Sequence, residues 1–402
     1  MQRLRLVHVA SVPEFFGFLR GQISFMQDRG FDVFGVCSPG RMVAEVARRE
    51  NIAIYTIPIR RPPAPLSDLG SLWQLARLFR RLKPTLVHLH TPKAGLLGAI
   101  GALIAGVPAR IYQMHGLRMM TTKGLKRRIL KLCESIACAS VDRVLTDSHS
   151  VRSLVISERV CKQAKIKVLC SGSANGVDTR VFSRCSKVVE LGSTMRAALN
   201  IPTDSLVLGF VGRVVRDKGI AELVGAWNAL RSEFPDLYLL LIGPIERDNP
   251  ISSSELSCFR EDDRIRLVGR VDGDKLPAYY AVMNVIAFPS YREGFGNVCI
   301  EASAMEIPVV ATRVPGCLDA VLDGITGILV PPRDAVALAD GIRRLLKDRD
   351  LRRQMGQAGR ERVLRDFRPE PIWEALYKEY MTLLSRKRSV LPQHRHRGPD
   401  AG

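Results

Sequence analysis

The stretch Val285–Thr312, VIAFPSYREGFGNVCIEASAMEIPVVAT, contains the pattern that decides the fold. An apolar, β-prone run is followed by a short polar loop, a helical segment that begins near Gly296 or Asn297, and a second apolar run. Strand, loop, helix and strand in this order form the basic unit of a parallel sheet. The stretch therefore predicts an α/β fold.

The loop of this unit has the residue types of a ligand site. Glu293 follows the first strand, and Glu301 lies eight residues later in the helix. Gly294, Gly296 and Asn297 permit a close approach of the backbone to a ligand, and a helix N-terminus attracts anions. Carboxylates accept hydrogen bonds from hydroxyl groups, so the pattern favours a nucleotide sugar. The alternative is a solvated Glu293 and a Glu301 that only stabilises the first helical turn.

The composition is that of a soluble globular protein. The 402 residues are 46% apolar and 25% charged, and this length favours two domains. The longest apolar run, 94–109, is too short to span a bilayer, and the N-terminus has no signal-peptide pattern. The nine cysteines form no C-x-x-C pair, which favours reduced thiols in a cytoplasmic protein.

The net charge of +20 is unevenly distributed along the chain. Residues 1–183 carry +17, residues 184–384 carry −1 and the tail carries +4. A basic first half indicates an anionic partner, such as a membrane surface, a lipid phosphate or a nucleic acid.

Apolar runs alternate with helical patterns in both halves of the chain. We predict a first parallel α/β domain over 1–183, a second over 184–370, a helix over 373–384 that crosses back to the first domain, and a disordered basic tail over 385–402. The turn-rich segment Ser171–Phe182 is the predicted boundary between the two domains.

A second loop with binding potential follows a strand of the second domain. The segment 212–219, GRVVRDKG, places Arg213 and Lys218 at the carboxyl edge of the sheet. Two cations there suit a diphosphate and its departure as a leaving group. A basic loop that is merely solvated is the alternative interpretation.

Histidines follow or end strands of the first domain. His115 could hydrogen-bond a sugar hydroxyl or orient an acceptor, or it could be structural. His88 and His90 could begin a metal site, but we find no third ligand in register and predict no metal. Lys93 is a better candidate for contacting an acceptor phosphate.

The segment 123–136, KGLKRRILKLCESI, is a basic amphipathic helix. Its apolar face is predicted to pack against the core or to meet anionic lipids. That face and its cations are Leu125, Ile129, Leu132, Ile136, Lys123, Lys126, Arg127, Arg128 and Lys131.

Asp272 and Asp274 form a D-x-D pattern that could suggest a metal site. Because a helical segment follows at once, we interpret Asp274 as a helix N-cap instead.

Four segments together resemble a known family. VGRVVRDKG (211–219), LLLIG (239–243), PSYREGFGNVCIEASAMEIPVVAT (289–312) and GITGILVPP (324–332) occur in the order and spacing of family 4 of the retaining glycosyltransferases, which have the GT-B fold. The first half, through residues 88–116 and 124–137, is similar to the branch that acts on polyprenyl-diphosphate-linked sugars in bacterial capsule, O-antigen and protein-glycan assembly. Many family members carry a Gly-Gly loop after the first strand, whereas this chain has SVPEFFGFLRG (11–21).

The resemblance implies roles for the residues named above. Arg213 and Lys218 would hold the donor diphosphate, Glu301 the ribose, and Glu293 the donor sugar, with His115 near the reacting centre. The complete predicted donor site is Gly212, Arg213, Lys218, Glu293, Phe295, Gly296, Asn297, Val298 and Glu301. The predicted acceptor or membrane contacts are Lys93, Arg118, Lys123, Lys126, Arg127 and Arg128.

We therefore expect a metal-independent, retaining glycosyltransferase that needs no cofactor. It would move a hexose or N-acetylhexosamine from a UDP-sugar to a polyprenyl-diphosphate-linked sugar at the cytoplasmic face of the inner membrane. Two alternatives remain open at this point: an isomerase resembling the UDP-sugar 2-epimerases, and a basic nucleic-acid-binding protein.

Overall fold

The computed structural model describes residues 4–60, 64–246 and 249–390, with side chains as far as residue 387. The predicted two-sheet GT-B fold is confirmed, because the chain forms one seven-stranded and one six-stranded parallel sheet with helices on both faces. No helix within these residues is both long and apolar enough to cross a bilayer.

The first sheet has the strand order β3-β2-β1-β4-β5-β6-β7. Its strands are short apolar runs, which suits a sheet that is covered on both faces. They are β1 Leu4–Val9, β2 Phe31–Cys37, β3 Ala53–Thr56, β4 Leu86–His90, β5 Ala109–Met114, β6 Arg143–Thr146 and β7 Ile166–Lys167. The helices that connect them are α1 Gln22–Asp28, α2 Val43–Glu50, α3 Pro65–Leu82, α4 Pro92–Ile104, α5 Gly124–Ala139 and α6 His149–Ser157.

The second sheet has the order β10-β9-β8-β11-β12-β13. Its strands are β8 Leu206–Val211, β9 Leu237–Ile242, β10 Ile265–Gly269, β11 Val285–Phe288, β12 Val309–Thr312 and β13 Gly327–Val330. Its helices are α7 Ser186–Ala198, α8 Ile220–Leu230, α9 Ser253–Glu261, α10 Leu276–Val282, α11 Asn297–Ala304, α12 Cys317–Ala320, α13 Ala335–Lys347 and α14 Arg349–Asp366. The strand order reverses between β1 and β4 in the first sheet and between β8 and β11 in the second. Ligands bind at such points in folds of this kind.

The last helix, α15, spans Pro369–Val390 and packs on the first sheet. Tyr380 and Leu383 of this helix are buried in the same cluster as Leu6 of β1. The helix is longer than the predicted 373–384, because Pro369 can occupy the first turn, where no donor is lost. Residues 385–390 are helical, so that part of the tail prediction is wrong, while residues 391–402 lie outside the described part of the chain.

Helix α5 packs on the core through Leu130, Ala137 and Cys138, which lie outside the predicted apolar face. Leu125 is 72% exposed and Leu132 is 60% exposed, whereas Glu134 is buried. Tyr112 donates a hydrogen bond to Glu134 at 2.9 Å, and burial raises the pKa of Glu134 to about 7. The interpretation that the apolar face packs on the core is therefore wrong, and that face is free for another contact.

The N-cap prediction for Asp274 is also wrong. Helix α10 begins at Leu276, and Lys275 occupies the cap position. The Asp274 carboxylate instead pairs with Arg20 of the first domain. Asp274 therefore forms an ion pair across the cleft between the two sheets.

Candidate donor site

The N-terminus of α11 lies at the cleft between the two domains. Gly296 precedes the helix with φ +78° and ψ +55°, a conformation that glycine adopts without a Cβ clash. Ser173, from the segment that joins the domains, donates a hydrogen bond to the Asn297 side chain at 3.3 Å. The first backbone amides of α11 are therefore held at the cleft, where they can bind an anion.

The two loops predicted to bind the donor are tied together by Asp217. Arg292 donates to the Asp217 carboxylate at 2.8 and 3.0 Å, and the Tyr291 amide donates to the Asp217 carbonyl at 2.9 Å. Gly219 lies against Pro289, since an added Cβ would stand 2.0 Å from the Pro289 oxygen. Loops 212–219 and 289–296 thus form one rigid wall.

This wall brings Lys218 and Glu293 into an ion pair. Both side chains are largely buried, at 17% and 14% exposure, and the Lys218 ammonium lies 5.0 Å from the centre of the Phe288 ring. The cation predicted for the diphosphate and the carboxylate predicted for the sugar are therefore neighbours. A ligand that contacted both Lys218 and Glu293 would have to share these two side chains with the ion pair between them.

Arg213 lies in a different environment from Lys218. Its guanidinium donates to Glu246 at 2.7 Å and is about half exposed. Glu246 has no equivalent in the sequence prediction, because nothing in the sequence places residue 246 beside residue 213 until strands β8 and β9 are paired. An arriving diphosphate would compete with this carboxylate for Arg213.

Glu301 is hydrogen-bonded to a residue that the sequence did not suggest. Tyr280 on α10 donates to the Glu301 carboxylate at 2.8 Å. Burial raises the pKa of Glu301, and the hydrogen bond from Tyr280 opposes that change. A carboxylate with one oxygen fixed in this way keeps the other available for hydroxyl groups.

The His115–Gly116 turn of the first domain touches this wall directly. A Cβ on Gly116 would lie 3.2 Å from the Gly294 nitrogen, and one on Gly294 would lie 2.6 Å from the His115 carbonyl carbon. Asp147, which follows β6, accepts a hydrogen bond from the His115 Nδ1 at 2.8 Å. The same-edge rule for parallel strands could have identified Asp147 from the sequence.

His8 supplies the third histidine that the sequence analysis did not find. It lies on β1 directly opposite His88, and nitrogen atoms of His8, His88 and His90 lie within 4.8 Å of one another. The statement that no third ligand is in register is therefore wrong. Phe15, in the segment where family relatives carry glycines, packs on His90 and His115 with ring centres 4.8 and 4.9 Å away.

The predicted acceptor contacts fall on two helices, Lys93 on α4 and the others on or next to α5. Lys93 pairs with Asp68 at 2.7 Å, and Arg127 pairs with Glu158 at 2.7 Å. Arg118, Lys123, Lys126 and Arg128 are exposed on or near α5. Phe295 is buried against Phe367, so it supports the loop from below.

Comparison with known proteins agrees with this arrangement. The model described as glycosyl transferases group 1 matches residues 193–362, and the glycosyl transferase 4-like domain model matches residues 18–172. The chain belongs to family 4 of the glycosyltransferases and is a glycosyltransferase of the GT-B fold.

Individual relatives define the similarity further. The chain is 38% identical over 384 residues to the capsular polysaccharide biosynthesis glycosyltransferase CapM of Staphylococcus aureus, covering 96% of this chain and 98% of CapM. It is 23% identical over 356 residues to an Escherichia coli UDP-Gal:alpha-D-GlcNAc-diphosphoundecaprenol alpha-1,3-galactosyltransferase, covering 87% and 89% of the two chains. The structure of Anabaena HepE with UDP-glucose superposes with a TM-score of 0.77 at 18% identity, covering 94% of this chain and all of HepE.

Proposed function

We propose that this glycosyltransferase transfers a hexose or N-acetylhexosamine from a UDP-sugar to a polyprenyl-diphosphate-linked sugar, with retention at the anomeric carbon. The observation that carries the donor assignment is the wall at the cleft. It combines the N-terminus of α11, the Lys218 ammonium and two carboxylates, Glu293 and Glu301. Groups that bind anions lie beside carboxylates that accept hydrogen bonds from hydroxyl groups. They match the diphosphate and the sugar rings of a nucleotide diphosphate sugar.

The relatives support the proposed substrates. HepE was solved with UDP-glucose, and the E. coli relative is named for a galactose transfer to a diphosphoundecaprenol-linked sugar. Arg213 and Lys218 would stabilise the departing diphosphate, so that bond breaking at the anomeric carbon needs no metal ion. Glu293 would face the positive charge that develops on the sugar.

The donor proposal is tested by saturation-transfer NMR with UDP-, GDP- and ADP-sugars in the presence of EDTA. We expect selective saturation of one UDP-sugar, and weaker saturation with Lys218→Met because a diphosphate contact is lost. Transfer to a polyprenyl-diphosphate-linked sugar, with the anomeric coupling constant of the product measured, then tests acceptor and retention. Absence of binding to every nucleotide sugar would overturn the donor assignment.

We further propose that the exposed face of α5 docks on an anionic bilayer and so brings the cleft to the lipid-linked acceptor. Leu125, Ile129 and Leu132 are more than half exposed, and Lys123 and Lys126 flank them. Helix α3, on the same face of the sheet, exposes Leu66, Leu69 and Trp73. Apolar side chains surrounded by cations suit a headgroup interface, as does the +17 charge of residues 1–183.

Replacing Leu125 and Ile129 by serine is expected to reduce partitioning into vesicles containing phosphatidylglycerol by about tenfold or more, because two apolar side chains no longer enter the interface. Co-sedimentation measures this effect. The matched control is Val336→Ser, which removes a side chain of similar exposure from the second domain. Equal partitioning of the double variant and the control would contradict the proposal. So would a wild-type protein that binds RNA but not vesicles.

A further inference from the structure

In the first domain, four histidines form a row beneath the cleft between the domains. His8 lies on β1, His88 and His90 lie on β4, and His115 follows β5. The first three side chains are completely buried, and His115 is one-fifth exposed where it reaches the cleft. The donor site described above uses only His115. The other three need a separate explanation, because buried polar side chains are costly unless they are hydrogen-bonded.

Hydrogen bonds connect three of these rings to a carboxylate. His8 Nδ1 and His90 Nε2 are 2.9 Å apart, and His90 Nδ1 and His115 Nε2 are 3.1 Å apart. His115 Nδ1 lies 2.8 Å from the Asp147 carboxylate. The rings of His8 and His90 are nearly parallel, as are those of His90 and His115. The result is a continuous chain from the buried sheet centre to the cleft.

The direction of every hydrogen bond in this chain follows from its end. The other oxygen of Asp147 accepts from the Gln113 amide at 2.8 Å, so the carboxylate acts only as an acceptor and His115 Nδ1 carries a proton. In a neutral ring the Nε2 of His115 then accepts, which requires a proton on His90 Nδ1. The same reasoning assigns a proton to His8 Nδ1. The reverse direction would put a proton on His8 Nε2, which is buried and has no partner in the described structure. The geometry therefore favours the neutral Nδ1–H tautomer in all three rings.

Burial keeps the three inner rings, His8, His88 and His90, uncharged. It lowers the pKa of His8 to about 3, and it lowers the pKa values of His88 and His90 well below their usual range. The neighbouring imidazoles add to the effect at His88 and His90. A second proton on any of these three rings would have no carboxylate next to it, because Asp147 contacts His115 and none of the other three.

The geometry does not favour a metal ion at the three buried histidines. His8 Nδ1 and His90 Nε2 are used in bonding to each other. Tyr380 lies 2.6 Å from His88 Nδ1, which leaves His8 Nε2 and His88 Nε2 without a partner in the described structure. Two nitrogens with no adjacent carboxylate would leave a buried dication uncompensated.

We propose that His8, His90 and Asp147 are positioning residues that hold His115 as the neutral Nδ1–H tautomer at the cleft. The tautomer assignment is independent of the proposed function, and only the expected effect on transfer rests on it. The groups facing His115 are Asp147 and His90 in the first domain, and the Glu293 loop with Lys218 in the second. A neutral ring places no positive charge next to the sugar, whose anomeric carbon becomes positive during transfer. It also acts only as an acceptor at Nε2.

The chain is tested by a pair of substitutions at His90, the buried residue that donates to His115. His90→Phe keeps an aromatic ring but removes the N–H that His115 Nε2 accepts. His90→Asn keeps an amide N–H at the branch position of Nδ1 and so replaces the donor. Without that donor, Nε2 of His115 no longer faces a proton from its neighbour and can itself carry one.

Two measurements test this contact, and the first needs no substrate. In ¹⁵N-histidine NMR we expect wild-type His8, His90 and His115 to carry their proton on Nδ1. In His90→Phe we expect the His115 Nε2 signal to move, because that nitrogen no longer accepts a hydrogen bond, and a form protonated on Nε2 to appear. In transfer assays His90→Phe should lower kcat by about tenfold or more, with the donor KM nearly unchanged. His90→Asn should restore kcat and the wild-type His115 signal.

Other outcomes would overturn the proposal. Nε2–H tautomers in the wild-type protein would do so, as would stoichiometric metal bound at His8, His88 and His90 in elemental analysis of the purified protein. A His90→Phe protein with an unchanged His115 spectrum would show that His90 does not hold His115. If the donor panel fails while the tautomers are as expected, the proposed function falls and the hydrogen-bonded chain stands.

Discussion

Replacing Glu293 by glutamine is expected to lower kcat by about a hundredfold to a thousandfold. The amide has the shape of the carboxylate and can still accept a hydrogen bond from Lys218, so the loop keeps its structure. It lacks the negative charge that would stabilise the positive charge on the sugar as the bond to the diphosphate breaks. Initial rates at saturating donor and acceptor measure the effect, and the donor KM should change much less than kcat.

Glu261→Gln is the matched control for this substitution. Glu261 is an exposed carboxylate at the end of α9 in the same domain, so the same change of charge there should leave kcat within about twofold. Thermal unfolding of both variants verifies that they are folded. A Glu293→Gln enzyme with a wild-type kcat would remove Glu293 from the transfer step.

Replacing Glu379 by alanine is expected to destabilise the protein by about 3–5 kcal/mol, which corresponds to a fall in Tm of about 5–10 °C. Glu379 on α15 accepts from Arg143 at 2.6 Å and from Lys167 at 2.8 Å, and the Arg143 and Glu379 side chains are both only 6% exposed. Without Glu379, the Arg143 guanidinium stays buried without its carboxylate. The cost of that buried charge is larger than the value of the ion pair itself.

The control for Glu379 lies on the same helix. Glu374 pairs with Arg29 at 2.9 Å, but both side chains are more than one-third exposed, so Glu374→Ala should cost no more than about 1 kcal/mol. Differential scanning calorimetry of the two alanine variants compares them directly. Equal Tm values would mean that burial of the Arg143–Glu379 pair does not fasten α15 to the first sheet.

Most strands could be predicted from the sequence because each is a short apolar run with a helix on either side. The second sheet is an example, since the apolar runs 206–211 and 237–242 form β8 and β9. Helix α14 is hard to predict for the opposite reason. Its sequence, RDLRRQMGQAGRERVLRD, buries only Met355, Gly356, Gly359 and Val363, and so narrow a stripe is hidden among charges.

The candidate site could be predicted where strand ends alone decide position. Lys218 and Glu293 follow neighbouring parallel strands, so their loops had to meet at one edge. One sequence predicts neither the register of paired strands nor which charged side chains pair with each other. The position of His8 opposite His88 depends on the first, and the ion pair of Arg213 with Glu246 depends on the second. The catalytic and binding roles of the predicted residues stay predictions until the variants are measured.

The contact between Gly116 and Gly294 limits how such an enzyme can diversify. Two peptide backbones meet there with no side chain between them. A backbone has no rotamers, so the spacing of the two domains at this point is a fixed dimension that point substitutions can only widen. Descendants of this chain could exchange one sugar for another by changing the side chains around that point, while inheriting the same spacing between the domains.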